Sequence, residues 1–205
     1  AAYAAAATEP YLDALDNAWV DKILDWGISA GSALDVGTGP GRIPLKLARR
    51  NPNLRLLGVD RSPVMIREAR RAAADENLTD RVCFLVGSAH RTCFPDDCFD
   101  LVVSNSLLHH LQDSVGVFRE MERVVRPGGL VGFRDLRRPS AFSYPWHLQW
   151  YGRRYTGRMK QLYADSIHAA YTARELQGLL EQASLDEARV LAFDRTHLGF
   201  IFRKD

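Results

Sequence analysis

The run Ala33-Leu-Asp-Val-Gly-Thr-Gly-Pro-Gly-Arg42 constrains this chain more than any other, because an apolar strand there meets a glycine-dense turn that opens a helix. Gly37, Gly39 and Gly41 remove side chains where the backbone must bend tightly, so a ligand can lie against bare main chain. Such a turn suits a nucleotide. Its spacing narrows the choice: a dinucleotide fingerprint carries a third small residue at its sixth position, which lets helix pack on strand. Here Arg42 stands at that position, and the third glycine arrives one residue early. An acidic residue, Asp35, lies inside the strand itself.

The rest of the chain alternates strands and helices. Leu12, Leu15, Trp19, Ile23 and Trp26 recur at three- and four-residue steps, which predicts a helix over Pro10 to Trp26 with Pro10 in its first turn and Gly27 closing it. Strands are expected at Leu34 to Val36, Leu54 to Asp60, Val82 to Val86, Phe99 to Ser104 and Leu130 to Asp135. Helices fall at Ile43 to Arg50, from the Ser62-Pro63 start to about Asp75, and from Asp113 to Val125. Pro127-Gly128-Gly129 reads as a turn. Thr172 with Glu175 forms a capping box for a helix through Leu180. Ala188 to Phe193 and His197 to Phe202 then read as an antiparallel terminal hairpin. The pattern implies an α/β, Rossmann-like sheet of seven mostly parallel strands with helices on both faces.

Two segments stand apart. Residues 1–30 are expected to form an N-terminal helical cap, although the alanine-rich Ala1 to Ala7 reads as a trimmed or appended end. Arg137 to Tyr171 interleaves aromatic and basic residues without a strand signal and is expected to be a helical lid, weakened in its first half by Gly152 and Gly157.

At 205 residues the chain suits one domain spanning 1–205. A net charge of +2 gives no global field for nucleic acid or an acidic membrane, so any preference for anions must be local. Cys83, Cys93 and Cys98 are odd in number, without a Cys-x-x-Cys pair or a histidine at zinc spacing, which argues against a disulfide framework or a metal site and points to a reducing cytoplasm. Cys83 reads as buried strand filling. No apolar run approaches the roughly 18 residues needed to span a bilayer, and no signal-peptide pattern is present.

Asp60 ends the second strand at the carboxyl edge of the sheet, beside the glycine turn. A carboxylate there offers a bidentate acceptor to the two hydroxyls of a ribose, or else caps the helix that follows. Gly87-Ser88-Ala89 and Phe94-Pro95-Asp96-Asp97-Cys98-Phe99-Asp100-Leu101-Val102 come next, then Ser104-Asn105-Ser106-Leu107-Leu108-His109-His110-Leu111 and Arg123-Val-Val-Arg-Pro-Gly-Gly-Leu130. Together with Gly37-x-Gly39-x-Gly41, these four ordered motifs resemble the class I S-adenosylmethionine-dependent methyltransferases of small-molecule type, from Ala33 to Leu136 and again at the terminal hairpin.

That resemblance implies S-adenosylmethionine as cofactor and S-adenosylhomocysteine as product. Gly37, Thr38, Gly39 and Gly41 would enclose the methionine end, with Asp35 ordering the turn. Asp60 would hold the ribose, Arg61 would lie along the adenine, and the Gly87-Ser88-Ala89 loop would meet its edge. Ser88 replaces a carboxylate often found there; it accepts a hydrogen bond without adding charge. Ser104 and Asn105 would line the passage to the substrate.

A sulfonium activates its own methyl group, so such a protein must mainly align the partners and exclude water. A general base is needed only for an acceptor that holds a proton; His109 and His110 are the candidates, the alternative being one packed and one solvated imidazole. His147 and His168 are weaker. The lid supplies Tyr144, Trp146, Trp150, Tyr151 and Tyr155 with Arg137, Arg138, Arg153, Arg154 and Arg158, which suits either a pocket for an aromatic or anionic small molecule or an ordinary amphipathic helix with solvated arginines. Two other readings remain open: a nicotinamide-dependent oxidoreductase, disfavoured by Arg42 and the hairpin, and a catalytically silent S-adenosylmethionine-binding protein. Nucleic acid is disfavoured as a partner, since Asn105 is followed by Ser106-Leu107 and no appended basic domain is present.

Overall fold

The computed structural model describes residues 10–205; the expectation for Ala1 to Ala7 lies outside them. Helix α1 (Pro10–Asp25) opens with proline and turns Trp19, Val20 and Ile23 into the core. Trp26 falls beyond its end and stays exposed, and Gly27 closes the helix at φ +84°. Strand β1 (Gly31–Val36), helix α2 (Arg42–Arg50), β2 (Leu54–Asp60), α3 (Pro63–Asp75) and β3 (Val82–Val86) build one half of the sheet. Strand β4 (Phe99–Asn105), helix α4 (Ser114–Val124) and β5 (Val125–Leu136) build the other. Ser62 and Asp113 cap α3 and α4 by accepting from the amides of Met65 and Gly116.

The seven strands run in the order β3-β2-β1-β4-β5-β7-β6, where β6 is Leu191–Ala192 and β7 is His197–Arg203. Strands β1 to β5 run parallel to one another; β7 runs antiparallel to β5 and to β6. The chain moves outward from β1 to β3 and then returns to the other side of β1 with β4. That reversal opens a crevice at the carboxyl ends of β1 and β4, the switch point where open α/β sheets bind ligands.

Alternation along the strands divides the core. Trp19, Leu47, Leu56, Ile66, Phe84, Leu101 and Val103 pack on the face covered by α1, α2 and α3. Val36, Val102, Phe118, Met121, Phe133, Leu176 and Phe200 pack on the face covered by α4 and by α7 (Ala173–Gln182). Phe118, Phe133 and Phe200 meet with centroids 5.2–5.3 Å apart, each buried ring contributing on the order of 2–3 kcal/mol. The capping box of Thr172 and Glu175 starts α7.

Three expectations need correction. Cys83 is exposed, because β3 is an edge strand whose alternate residues face water. Pro127-Gly128-Gly129 does not end a loop before β5 but lies within it, as an irregularity between the Phe99–Val125 and Leu101–Leu130 pairings. The expected Ala188 to Phe193 strand shortens to Leu191–Ala192, since Asp194 accepts from the amides of Thr196 and His197 and begins the turn early. The expected lid is helical and breaks at the two glycines named for it: α5 (Tyr144–Tyr151) passes through a 3₁₀ turn at Gly152–Arg154 into α6 (Gly157–Ala169), with Gly157 at φ +51°. The ends of this segment meet in a bridge between Arg137 and Tyr171. Among the described residues, no helix is long and apolar enough to cross a membrane.

Candidate active site

The switch-point crevice is a cavity of about 420 Å³. Its floor is the carboxyl edge of the sheet: Asp35 and the turn after β1, Asp60 at the end of β2, Asn105 to Leu107 after β4, and Leu136 ending β5. Its roof comes from α1 (Tyr11, Leu12, Leu15), from Tyr151, Arg154 and Tyr155, and from α6 (Met159, Leu162, Tyr163). Thr196 and His197 close one side. A volume in the hundreds of Å³ with a largely apolar lining suits a small organic ligand.

The glycine turn is held from below. The amides of Gly37 and Thr38 both donate to the Val59 carbonyl, at 2.8 and 2.9 Å. Gly41 sits at φ +81°, and a Cβ there would lie 2.6 Å from Cζ of buried Phe84, so glycine serves both the turn and the packing beneath it. The Gly39 amide donates to Asp60 Oδ2 at 2.9 Å, while Asp60 Oδ1 accepts from the Ser62 amide at 2.8 Å. Asp60 therefore ties the turn to the start of α3, and each of its oxygens keeps acceptor capacity toward the cavity.

Asp35 has the most unusual environment. It is buried, and its Oδ1 is without a hydrogen-bond partner among the described residues, as is Thr38 Oγ1 nearby. Burial pushes the Asp35 carboxyl up to about 7, opposed by Thr38 and reinforced by the charges of Asp60 and Asp16. An orphaned, desolvated acceptor beside bare backbone marks a place prepared for a cationic or donor group.

The opposite wall carries an imidazole in a fixed orientation. The 3₁₀ turn Leu108–His110 buries His109, whose Nδ1 lies 2.6 Å from Asp135 Oδ1. Asp135 also accepts from the amides of Leu108 and Leu136, at 2.6 Å each. Burial raises the Asp135 carboxyl, but His109 and those two amides outweigh it and hold the group below its ordinary value. The paired nitrogen carries the proton toward Asp135, which leaves Nε2 as the basic atom. His110 is exposed, lies against His109 with ring centroids 4.0 Å apart and planes tilted by 47°, and has its pKa lowered by desolvation and then by its neighbour.

Of the residues singled out from the sequence, Asp35, Gly37, Thr38, Gly39, Asp60, Asn105, His109 and His110 border the cavity. Gly41, Arg61, Gly87, Ser88, Ala89 and Ser104 lie outside its walls. Ser104 is fully buried, its hydroxyl donating to the Val36 carbonyl at 2.8 Å, so it joins β4 to β1. Ser88 is exposed and accepts from the His90 amide, and the Gly87 amide donates to the Asp60 carbonyl. Asn105 borders the cavity while its side-chain oxygen accepts from Arg134 Nε at 2.7 Å. Trp146 and Trp150 face outward.

The sequence did not point to His197, Thr196, Tyr11 or Tyr163. His197 is buried at the start of β7, paired across the sheet with Leu136, and its Nδ1 lies 3.2 Å from Asp194 Oδ2. Loss of solvation lowers its pKa, opposed chiefly by Asp194. Asp194-x-Thr196-His197 before a strand was the available signal, an Asx turn that presents a histidine.

Comparison with known proteins agrees with this geometry. Residues 34–133 match a family model described as a methyltransferase domain. The chain is 36% identical over 111 residues to a demethylmenaquinone methyltransferase of Roseiflexus castenholzii, covering 54% of this chain and 45% of that protein. It is 33% identical over 146 residues to a ubiquinone/menaquinone biosynthesis C-methyltransferase of Desulfotalea psychrophila, covering 69% of this chain and 56% of that protein. The chain thus spans about half the length of the curated relatives it matches. Among solved structures, the plantazolicin methyltransferase in complex with SAH superposes with a TM-score of 0.73 at 14% identity, over 93% of this chain and 82% of that one.

Proposed function

Because this chain belongs to the class I S-adenosylmethionine-dependent methyltransferases, we propose that its cavity binds S-adenosylmethionine at the glycine turn and delivers a methyl group to a small, largely apolar acceptor beneath the lid. Bound there, the cofactor supplies a methyl group activated by a sulfonium and departs as S-adenosylhomocysteine. The observation that carries the reading is the unpartnered Asp35 Oδ1 beside a turn stripped of side chains. The ammonium of an amino-acid tail is the kind of group that would satisfy it. Asp60, already anchored by two amides, would accept from the ribose hydroxyls. The adenine roles of Arg61, Ser88 and Ala89 follow from family likeness alone, since all three lie outside the cavity walls.

The chain's own contribution to chemistry is positioning, desolvation and one proton. Tyr11, Leu15, Leu107, Leu136, Met159 and Tyr163 surround the acceptor space with apolar and aromatic surface. His109, oriented by Asp135, takes a proton from an acceptor hydroxyl or acidic carbon through Nε2. His197, held by Asp194, faces the same space and would position a second polar group of the acceptor. The names of the quinone-methylating relatives support an aromatic, oxygen-bearing acceptor. We read residues 1–205 as one domain, with α1 and the 137–171 segment as the roof that excludes water. The dinucleotide alternative loses support because Arg42, at the position that wants a small residue, is committed to Asp16 at 2.7 Å.

A thermal-shift panel of S-adenosylhomocysteine, S-adenosylmethionine and NAD tests the cofactor directly. A ligand at about 100 times its dissociation constant stabilises the fold by roughly 2.7 kcal/mol, which for a chain of this size is about 5–10 °C in Tm. The two S-adenosyl compounds should produce that shift and Asp60→Ala should abolish it, beyond the modest drop in ligand-free Tm expected from losing the bonds to the Gly39 and Ser62 amides. A shift with NAD alone would overturn the assignment.

A further inference from the structure

The outer face of the lid has no role in the cavity, and its chemistry is unlike the rest of the surface. Phe142, Trp146 and Trp150 are 88%, 70% and 58% exposed. Trp146 and Trp150 stand four residues apart on α5 and so share one face of that helix. Exposed aromatics of this size collected on a single short segment mark an interaction surface.

The charges of the same segment are mostly of one sign, with six cations against the single carboxylate of Asp165 between Arg137 and Tyr171. From Arg137 to Ala164 the chain carries Arg137, Arg138, Arg153, Arg154, Arg158 and Lys160 and no aspartate or glutamate, so the remainder of the chain is net negative. Arg138 is committed to Glu175 and Arg154 to the ring of Tyr11 in the cavity roof. Arg137, Arg153, Arg158 and Lys160 remain exposed, with the Arg153 guanidinium 4.2 Å over the Trp150 ring. A small net charge of +2 conceals this local polarity.

We propose that this face docks on an anionic lipid surface, with Phe142, Trp146 and Trp150 in the headgroup–acyl boundary and the four cations against acidic headgroups. Tryptophan favours that boundary because its ring is apolar and its N–H is polar. Each nearby cation adds electrostatic attraction to acidic lipid. The eight residues of α5 are too few to span a bilayer, so the segment lies on the surface rather than crossing it. A protein partner would require carboxylates arranged to match; a lipid surface supplies negative charge and an apolar boundary together, in any register. The same segment supplies Tyr151 and α6 to the cavity roof, so the docked face and the roof belong to one stretch of chain. The docking itself is independent of the proposed methyl transfer.

Co-sedimentation of the chain with vesicles of phosphatidylcholine alone, and of phosphatidylcholine mixed with phosphatidylglycerol, tests this at low and physiological salt. Binding is expected to the anionic vesicles, weakening with salt, with a blue shift of tryptophan emission and quenching by brominated lipid. Arg153→Gln, Arg158→Gln and Lys160→Gln together should lower partitioning about a hundredfold. Phe142→Ser, Trp146→Ser and Trp150→Ser together should remove it, with far-UV circular dichroism and Tm retained because all three side chains are already solvated. The proposal falls if the chain ignores both vesicles at low salt or if the serine variant binds as well as the parent. It falls equally if light scattering shows a dimer that the serine variant converts to monomer, which would make the face a contact between copies.

Discussion

At the scale of single residues, two acids of the site, Asp35 in the cavity wall and Asp135 behind His109, are driven in opposite directions, and each direction is testable. Asp35 is desolvated with one oxygen unpartnered, and its carboxyl rises from an ordinary 3.8 to about 7. A raised carboxyl favours the protonated folded state, so the stability it lends is full below its unfolded value and is lost as pH climbs through about 7. The ligand-free protein should lose stability from this group between about pH 4 and 7. An ammonium-bearing ligand recovers that loss, so the thermal shift given by S-adenosylhomocysteine should be larger at pH 8 than at pH 5.5, and Asp35→Asn should flatten the difference. A shift that is unchanged between those pH values in the parent protein would mean the ligand's ammonium lies elsewhere. Asp135 is the reverse case, held low by His109 and two amides despite its burial. Asp135→Asn keeps the shape but no longer fixes the imidazole tautomer; kcat should fall about a hundredfold or more while S-adenosylhomocysteine affinity stays the same. Equal losses in both would make Asp135 a folding residue instead.

At the scale of elements, what could be read in advance was what local pattern dictates, and what could not was set by partners distant in sequence. The strand–turn–helix at Ala33 to Arg50, the cap at Ser62 and the capping box at Thr172 are determined within a few residues, and all stand where the pattern placed them. Asp60 was legible as a strand-end carboxylate, yet its bond to the Gly39 amide spans 21 residues and depends on β1 lying beside β2. The pairing of His109 with Asp135 spans 26 residues and needs β4 and β5 adjacent, so the sequence offered a histidine pair without saying which member is oriented. Cys83 was misplaced because a short apolar strand reads the same at the centre of a sheet and at its edge. Gly41 shows both levels at one position: its φ of +81° was implied by the turn, and its contact with Phe84, 43 positions away, was not. Gly41→Ala should therefore cost about 2 kcal/mol, lowering Tm by roughly 4–8 °C, since the new methyl group meets a buried ring. A Tm within 1 °C of the parent, on the order of the scatter for neutral surface changes, would show that α2 can slide away from β3.

At the scale of the whole molecule, the roof of the cavity is fastened to the sheet through one buried ion pair, and the predicted consequence of cutting it joins stability to function. Asp16 on α1 receives Arg134 Nη2 from β5 at 2.7 Å and Arg42 Nε from α2 at 2.7 Å, while Arg134 Nη1 donates to the Leu15 carbonyl at 2.5 Å. Desolvation lowers the Arg134 pKa, opposed chiefly by Asp16. Three elements that are far apart in sequence thus converge on one carboxylate, directly behind the Tyr11, Leu12 and Leu15 wall of the cavity. Removing one member of such a pair leaves a charge buried without its counter-ion, a loss of about 3–5 kcal/mol. Asp16→Ala should lower the urea midpoint accordingly. With a slope of roughly 1–3 kcal/mol per molar urea, the shift is at least about 1 M. Because α1 supplies roof rather than floor, the same variant should weaken acceptor turnover more than binding of S-adenosylhomocysteine, which rests on Asp35, Asp60 and the glycine turn. Asp16→Asn keeps an acceptor for both arginines and should recover part of the stability. If both variants leave the midpoint unmoved, Arg134 finds water or Asn105 in place of Asp16, and α1 is held by the Trp19 and Ile23 contacts with the bonds of Lys46 and Arg50 to Asp13, Asn17 and Asp21.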